Sequence, residues 1–281
     1  MRSRFTRARW YFRSVFSTFE ENQTREDGEK RSEAPQVPEV MDAVEFARKR
    51  LKFEPDERQI EVLLSEAKRG ILNCTRQWGK STIAAAKAVH RAYTRPKSLV
   101  LVASPTDRQS GELIRKAADM LAMLGIRRRG DGDNETSLQL PNGSRIVGLP
   151  GVEGTVRGFS AVSLMLIDEA SRVEDAMYKA LRPMLAVGQG DLWLMSTPCG
   201  KRGFFHECWE HGTADEWFRV RVRGPECERI PAAFLEKERS AIGPVWFAQE
   251  YMGEFVDSGM SVFGRDLVER AIDDGFGPLE V

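Results

Sequence analysis

The chain is 281 residues long, 41% hydrophobic, and balances 42 lysines and arginines against 42 aspartates and glutamates. Its apolar runs fall short of the roughly 20 residues that a membrane-crossing helix needs, which speaks against a helical membrane protein and against a membrane partner. Zero net charge argues against a protein coated in nucleic acid, although affinity for a polyanion follows local phosphate contacts and a basic patch on one face is compatible with it.

Met1 to Phe19 carries Arg2, Arg4, Arg7, Arg9 and Arg13 with no acid, interleaved with Trp10, Tyr11, Phe12, Phe16 and Phe19. A solvated tail, a surface for anionic lipid or DNA, and a targeting presequence all fit that pattern. Glu20 to Val40 is charged and polar with Pro35 and Pro38, so residues 1–41 read as a basic tail and polar linker. From Asp42 to Lys52 apolar and charged residues alternate at helical spacing, and a domain covering residues 42–255 begins there.

An apolar strand over 70–75 runs into Gly79-Lys80-Ser81-Thr82 and an alanine-rich helix over 80–94. Strand, tight loop and helix in that order can hold a nucleoside triphosphate. Backbone N–H groups and the positive end of the helix cradle the phosphates, Lys80 can reach the β and γ phosphates, and Ser81 Oγ can ligate Mg²⁺. The strict pattern G-x-x-x-x-G-K-[ST] is broken at its first position, where Cys74 stands.

A strand over 98–104, a helix over 107–124 and a hairpin over 136–149 follow. The hairpin turns on Asn142-Gly143, a pair expected to supply positive φ angles. Ser163 to Ile167 is a continuous apolar run, as in a strand buried on both faces of a parallel sheet, and it ends in Asp168-Glu169. Asp168 is placed to hold Mg²⁺ with Ser81, and Glu169 to polarise the water that attacks the γ phosphate. The alternative is that both acids merely cap the next helix, expected over 174–187.

A strand over 191–196 leads into Ser196-Thr197-Pro198, small hydroxyls at a strand's carboxyl end, where ligands of open α/β sheets bind. The alternative there is a simple turn before proline. Phe204 to Trp209 reads as a short helix ending near Gly212, and Trp217 to Val222 as a strand. Two helices over 231–241 and 244–253 read as a small lid-like subdomain. Strands alternating with helices predict a doubly wound, mostly parallel α/β sheet with flanking helices. Cys74, Cys199, Cys208 and Cys227 show no C-x-x-C spacing, which fits free thiols in the reducing cytoplasm of a cell. Cys199, His206, Cys208 and His211 match no zinc-finger or ribbon spacing.

Taken in order, these motifs resemble the ATPase domain of the large terminase subunit, the motor that packages double-stranded DNA into phage and prophage capsids. Thr75-Arg76-Gln77-Trp78-Gly79-Lys80-Ser81 looks like that family's phosphate loop, and Phe53 to Gln59 like its adenine-reading segment, with Gln59 at the position that bonds the base. Arg58 stands where an aromatic residue is more usual. Gly154 to Ala161 looks like the family's Arg-Gly segment, and Ser196-Thr197-Pro198 like its coupling motif.

The resemblance covers about Phe53 to Phe255 and implies a P-loop NTPase of the ASCE type. It implies ATP and Mg²⁺ as cofactors, and as partners double-stranded DNA, the small terminase subunit, the portal or capsid, and other copies of the chain in a ring. It further implies that Arg76 meets the γ phosphate in cis and that Arg157, flanked by Gly154 and Gly158, can enter a neighbour's site. A surface or DNA-facing role for Arg157 and a structural salt bridge for Arg76 are the plainer alternatives. Residues 256–281 are expected to be a linker or the truncated start of a nuclease domain, with no DNA cleavage by this chain. A helicase-like remodelling ATPase and a non-catalytic prophage remnant or assembly protein are the competing functional readings.

Overall fold

The structure, a computed structural model, describes residues 41–126, 136–149, 151, 158–213 and 215–256. The basic tail, most of its linker and the stretch from 257 onward therefore lie outside the described residues.

Asp42 starts the first helix, α1 (Ala43–Lys49), by accepting from the backbone N–H groups of Val44 at 2.9 Å and Glu45 at 2.8 Å. Helix α2 (Glu57–Leu64) opens with a reciprocal capping box in which Asp56 Oδ1 accepts from Gln59 N and Gln59 Oε1 accepts from Asp56 N. Strand β1 (Arg69–Cys74) then feeds α3 (Lys80–Thr94), and β2 (Leu99–Ala103) feeds α4 (Asp107–Met123). The hairpin is β3 (Ser137–Gln139) and β4 (Arg145–Gly148). Next come β5 (Leu164–Asp168), a 3₁₀ turn at Ala170–Arg172, α5 (Asp175–Leu181), β6 (Asp191–Ser196), α6 (Gly203–Glu210), β7 (Phe218–Val222) and α7 (Ala232–Met252).

The seven strands form one sheet in the order β3-β4-β2-β5-β6-β1-β7. Among the described residues only the β3–β4 pair is antiparallel; the other five pairings are parallel. Alternation along each strand sends Leu72, Val100, Val102, Leu164, Leu166 and Trp193 to one apolar layer under α1 to α4. It sends Ile71, Leu101, Met165, Ile167, Leu192 and Leu194 to the other, under α5 and α6. Burying each such aliphatic side chain contributes roughly 1.5–3 kcal/mol, so the two-sided central strands are the rigid frame on which the site is built.

Lys87 is buried in the first layer. Its Nζ lies 4.0 Å from the Trp193 ring centroid and donates to the carbonyls of Val62 at 3.1 Å and Ser65 at 3.4 Å, closing the last turn of α2. Burial pushes its amine down to about 8.

Three local expectations are corrected. The helix expected over 174–187 stops at Leu181 and tightens into 3₁₀ geometry over Arg182–Leu185, because Pro183 lacks an N–H and its ring collides with the preceding turn. In the Asn142-Gly143 turn only Gly143 has a positive φ, of 81°. Asn142 instead donates to the carbonyls of Ala92 at 2.8 Å and Tyr93 at 3.2 Å, pinning the hairpin to the end of α3. The two expected lid helices are one helical run broken at Gly243, whose φ of 79° and ψ of 165° precede Pro244.

Candidate nucleotide site

Strand order brings the motifs together. β6 lies between β1 and β5, with Asn73 opposite Ser196 and Asp168 opposite Met195. The carboxyl end of β6 therefore sits between the phosphate loop and the acidic pair.

The loop explains its own departure from the glycine-rich pattern. Cys74 ends an extended strand and needs no glycine; the left-handed positions are Gln77, with φ of 65°, and Gly79, with φ of 101°. A Cβ at Gly79 would also lie 3.1 Å from Gln59 Nε2. Gly79 offers no side-chain cap to the 15-residue helix α3, leaving its N-terminus open to an anion.

Lys80 is 7% exposed and its Nζ donates to three oxygens at 3.2 Å each: the carbonyls of Cys74 and Thr75 and the Thr197 hydroxyl. Ser81 Oγ donates to Asp168 Oδ2 at 3.0 Å. Burial raises the Asp168 carboxyl above the usual carboxylate range and the neighbouring Glu169 adds to that, while Lys80 and Ser81 pull it back. A carboxylate short of solvation beside a hydroxyl is a fitting donor set for a hard divalent cation such as Mg²⁺.

Glu169 does not cap a helix. It holds a left-handed conformation, φ 50° and ψ 42°, with no side-chain cap bond, a geometry costing about 1–2 kcal/mol for a residue with a Cβ. Its Oε2 accepts from Arg172 Nη1 at 3.0 Å. Ser196 and Thr197 divide the space between the two halves of the site. Thr197 bonds Lys80 and donates to the Cys74 carbonyl at 3.1 Å, whereas Ser196 Oγ lies 2.7 Å from Ser171 Oγ, just past Glu169.

Several expected ligand contacts take other jobs in this structure. Gln59, expected to read the base, is fully buried, with Oε1 held by Asp56 N at 3.0 Å and Nε2 by the Trp78 carbonyl at 3.0 Å; its amide props up the phosphate loop. Trp78 packs into the apolar layer at 1% exposure. Thr75 N donates to the Val222 carbonyl at 2.8 Å and its hydroxyl to the Glu250 carbonyl at 3.3 Å. Arg76 forms an ion pair with Glu250 of α7. Gln77 is exposed, Thr82 is half-buried in the first turn of α3, and Pro198 follows the coupling pair. Arg157 and the Gly154 to Val156 stretch before it lie outside the described residues.

Sequence reasoning missed Ser171, Arg172 and Glu250. The i, i+3 spacing of Glu169 and Arg172 is a readable signal. Glu250, 174 residues from Arg76, gives none.

Fold and loop define a P-loop fold of the ASCE type, with one strand between the loop strand and the acidic strand. Residues 71–270 match the family model for the N-terminal part of the T4likevirus-type terminase large subunit, and the chain belongs to that family. The large terminase subunits of Thermus phage G20c and Thermus virus P23-45 are each 26% identical over 263 residues, covering 78% of this chain and 52% of theirs. The chain thus spans about half the length of the curated relatives it matches. The large terminase ATPase domain of Thermus phage P74-26 has the same fold, with a TM-score of 0.66 at 22% identity over 78% of this chain and 100% of that one. So does the large terminase of a thermophilic bacteriophage in complex with ATP-gamma-S, with a TM-score of 0.58 at 15% identity over 71% of this chain and 52% of that one.

Proposed function

We propose that the chain is an ATP hydrolase whose turnover moves double-stranded DNA into a capsid. The observation that carries this reading is the convergence of Lys80, Ser81, Asp168 and Glu169 around the end of β6, through the bonds of Lys80 to Thr197 and of Ser81 to Asp168. Family membership and the ATP-gamma-S complex of the thermophilic bacteriophage terminase support the choice of nucleotide.

In this mechanism Lys80 leaves its carbonyl partners for the β and γ phosphates. Ser81 and Asp168 would hold Mg²⁺, which when bound would supply positive charge to neutralise the phosphates. Glu169 orients the attacking water and takes its proton. Arg76, whose side chain is 57% exposed at the loop, turns to the γ phosphate. Loss of that phosphate is felt by Thr197 through Lys80 and passed by Ser196 and Ser171 to the turn after Glu169. The DNA, a small terminase subunit, the portal or capsid, a ring of copies and a trans role for Arg157 are proposed on family membership.

An ATPase assay with Mg²⁺, run with and without double-stranded DNA, tests the proposal. It predicts hydrolysis that DNA accelerates. A folded protein without hydrolysis contradicts it and favours the assembly-protein reading, and directional strand separation favours the remodelling one.

A further inference from the structure

The backbone of Glu169 is held from both sides. Its N–H donates to Asp168 Oδ1 at 3.0 Å, and its carbonyl accepts from Arg172 N at 2.9 Å, closing the 3₁₀ turn. That turn is tied to the end of β6, where Ser171 N donates to Ser196 Oγ at 3.2 Å and Ser171 Oγ to the Thr197 carbonyl at 2.7 Å. These bonds keep Glu169 in its left-handed conformation. They do not aim its carboxylate, which lies at the end of a flexible side chain. Residues three apart eclipse in 3₁₀ geometry, so Arg172 comes to lie over Glu169. Among the described residues Arg172 is the one hydrogen-bonded partner of that carboxylate, with Nη1 donating to Oε2 at 3.0 Å. Its Nη2 donates to Glu250 Oε1 at 3.3 Å, which steadies the guanidinium from the other side, and its side chain is only 29% exposed.

We propose that Arg172 is a positioning residue for hydrolysis: it fixes the rotamer of Glu169 by holding Oε2, which leaves Oε1 to meet the attacking water. The proposal rests on the reading of Glu169 as the general base. A guanidinium suits the task, because its planar fork takes two carboxylates at once and its own orientation is then set by the pair. Arg172 rides on a turn bonded to Ser196 and Thr197, so the base is aimed relative to the same strand end that holds Lys80. In this role Arg172 acts on the reaction through Glu169 alone.

The test compares single-turnover ATP hydrolysis and ATP-gamma-S affinity for Arg172→Gln in the full chain, placed in the parent and in a Glu169→Gln background. Alone, Arg172→Gln should slow hydrolysis about ten- to hundredfold, the cost of a misplaced catalytic group, and bind ATP-gamma-S within about twofold of the parent. In the Glu169→Gln background it should slow hydrolysis by less than about a further twofold, because no base remains to be aimed. A merely structural role would weaken binding or slow both backgrounds alike. Arg172→Lys keeps the charge without the fork and carries the same comparison in milder form if Arg172→Gln fails to fold. Parent-rate hydrolysis by a folded Arg172→Gln, weakened binding, or equal fold losses in both backgrounds overturns the positioning role while leaving the ATPase reading intact. A parent that hydrolyses no ATP, or a Glu169→Gln that keeps the parent rate, overturns the reading beneath it as well.

Discussion

The Thr197 hydroxyl donates to the Cys74 carbonyl at 3.1 Å and accepts from Lys80 Nζ at 3.2 Å, so one side chain joins the end of β6 to both ends of the phosphate loop. Valine has nearly the same shape and neither bond. Thr197→Val is expected to lower stability by about 1–2 kcal/mol, because a buried ammonium loses one of its three partners. Urea unfolding measures this, and a parent-like midpoint would remove the hydroxyl from the account.

Removing the metal should act through Asp168. In the parent, Mg²⁺ should tighten ATP-gamma-S binding and EDTA should reverse the effect. In Asp168→Asn the Mg²⁺ dependence should vanish while metal-free binding persists. Equal Mg²⁺ dependence in parent and variant, by titration calorimetry, would place the cation elsewhere.

The frame of this site is readable in the sequence, and its fastenings are hidden there. The strand over 191–196 and the helix over 80–94 are found at the expected residues, and the apolar run into Asp168-Glu169 is β5, because two-sided burial leaves uninterrupted apolar runs. Helix α2 is fastened at both ends, by the Asp56–Gln59 cap at its start and by Lys87 at its far end, and only the first of these is local in the sequence. Gln59 reads as a ligand contact along the chain, and its bond to the carbonyl of Trp78 in the loop itself has no local signal. Arg76 and Glu250 meet because the end of α7 returns to the phosphate loop, and no local pattern announces such a pair.

Lys87 gives the fold a pH signature. Its native amine is held down to about 8 by burial, while an unfolded lysine titrates near 10.4. Between these values the unfolded chain keeps the proton and the native one releases it, so stability should rise with pH through that window by up to about 3 kcal/mol. As pH falls through about 8, that contribution is lost. Lys87→Met should flatten the rise, and matching pH profiles of unfolding free energy for parent and variant would count against it.

Burial pushes the Cys74 thiol up to about 12, so its thiolate is scarce near neutrality despite its place at the loop. Iodoacetamide at pH 8 should label the half-exposed Cys199 first and leave Cys74 unmodified until the chain is unfolded. Peptide mapping by mass spectrometry reads the order; early labelling of Cys74 would mean that the end of β1 opens in the native state.

The most direct test of the central claim compares nucleotide binding and turnover in two variants of the full chain. Lys80 meets phosphate in the ground state and Glu169 acts on water, so the variants should separate the two steps. Lys80→Ala should lose hydrolysis and bind ATP-gamma-S at least about tenfold more weakly, from loss of charge-assisted bonds. Glu169→Gln should bind within about twofold of the parent, yet turn over at least about a hundredfold more slowly, from loss of the general base. Hydrolysis at the parent rate by Glu169→Gln, with binding intact, would contradict the account.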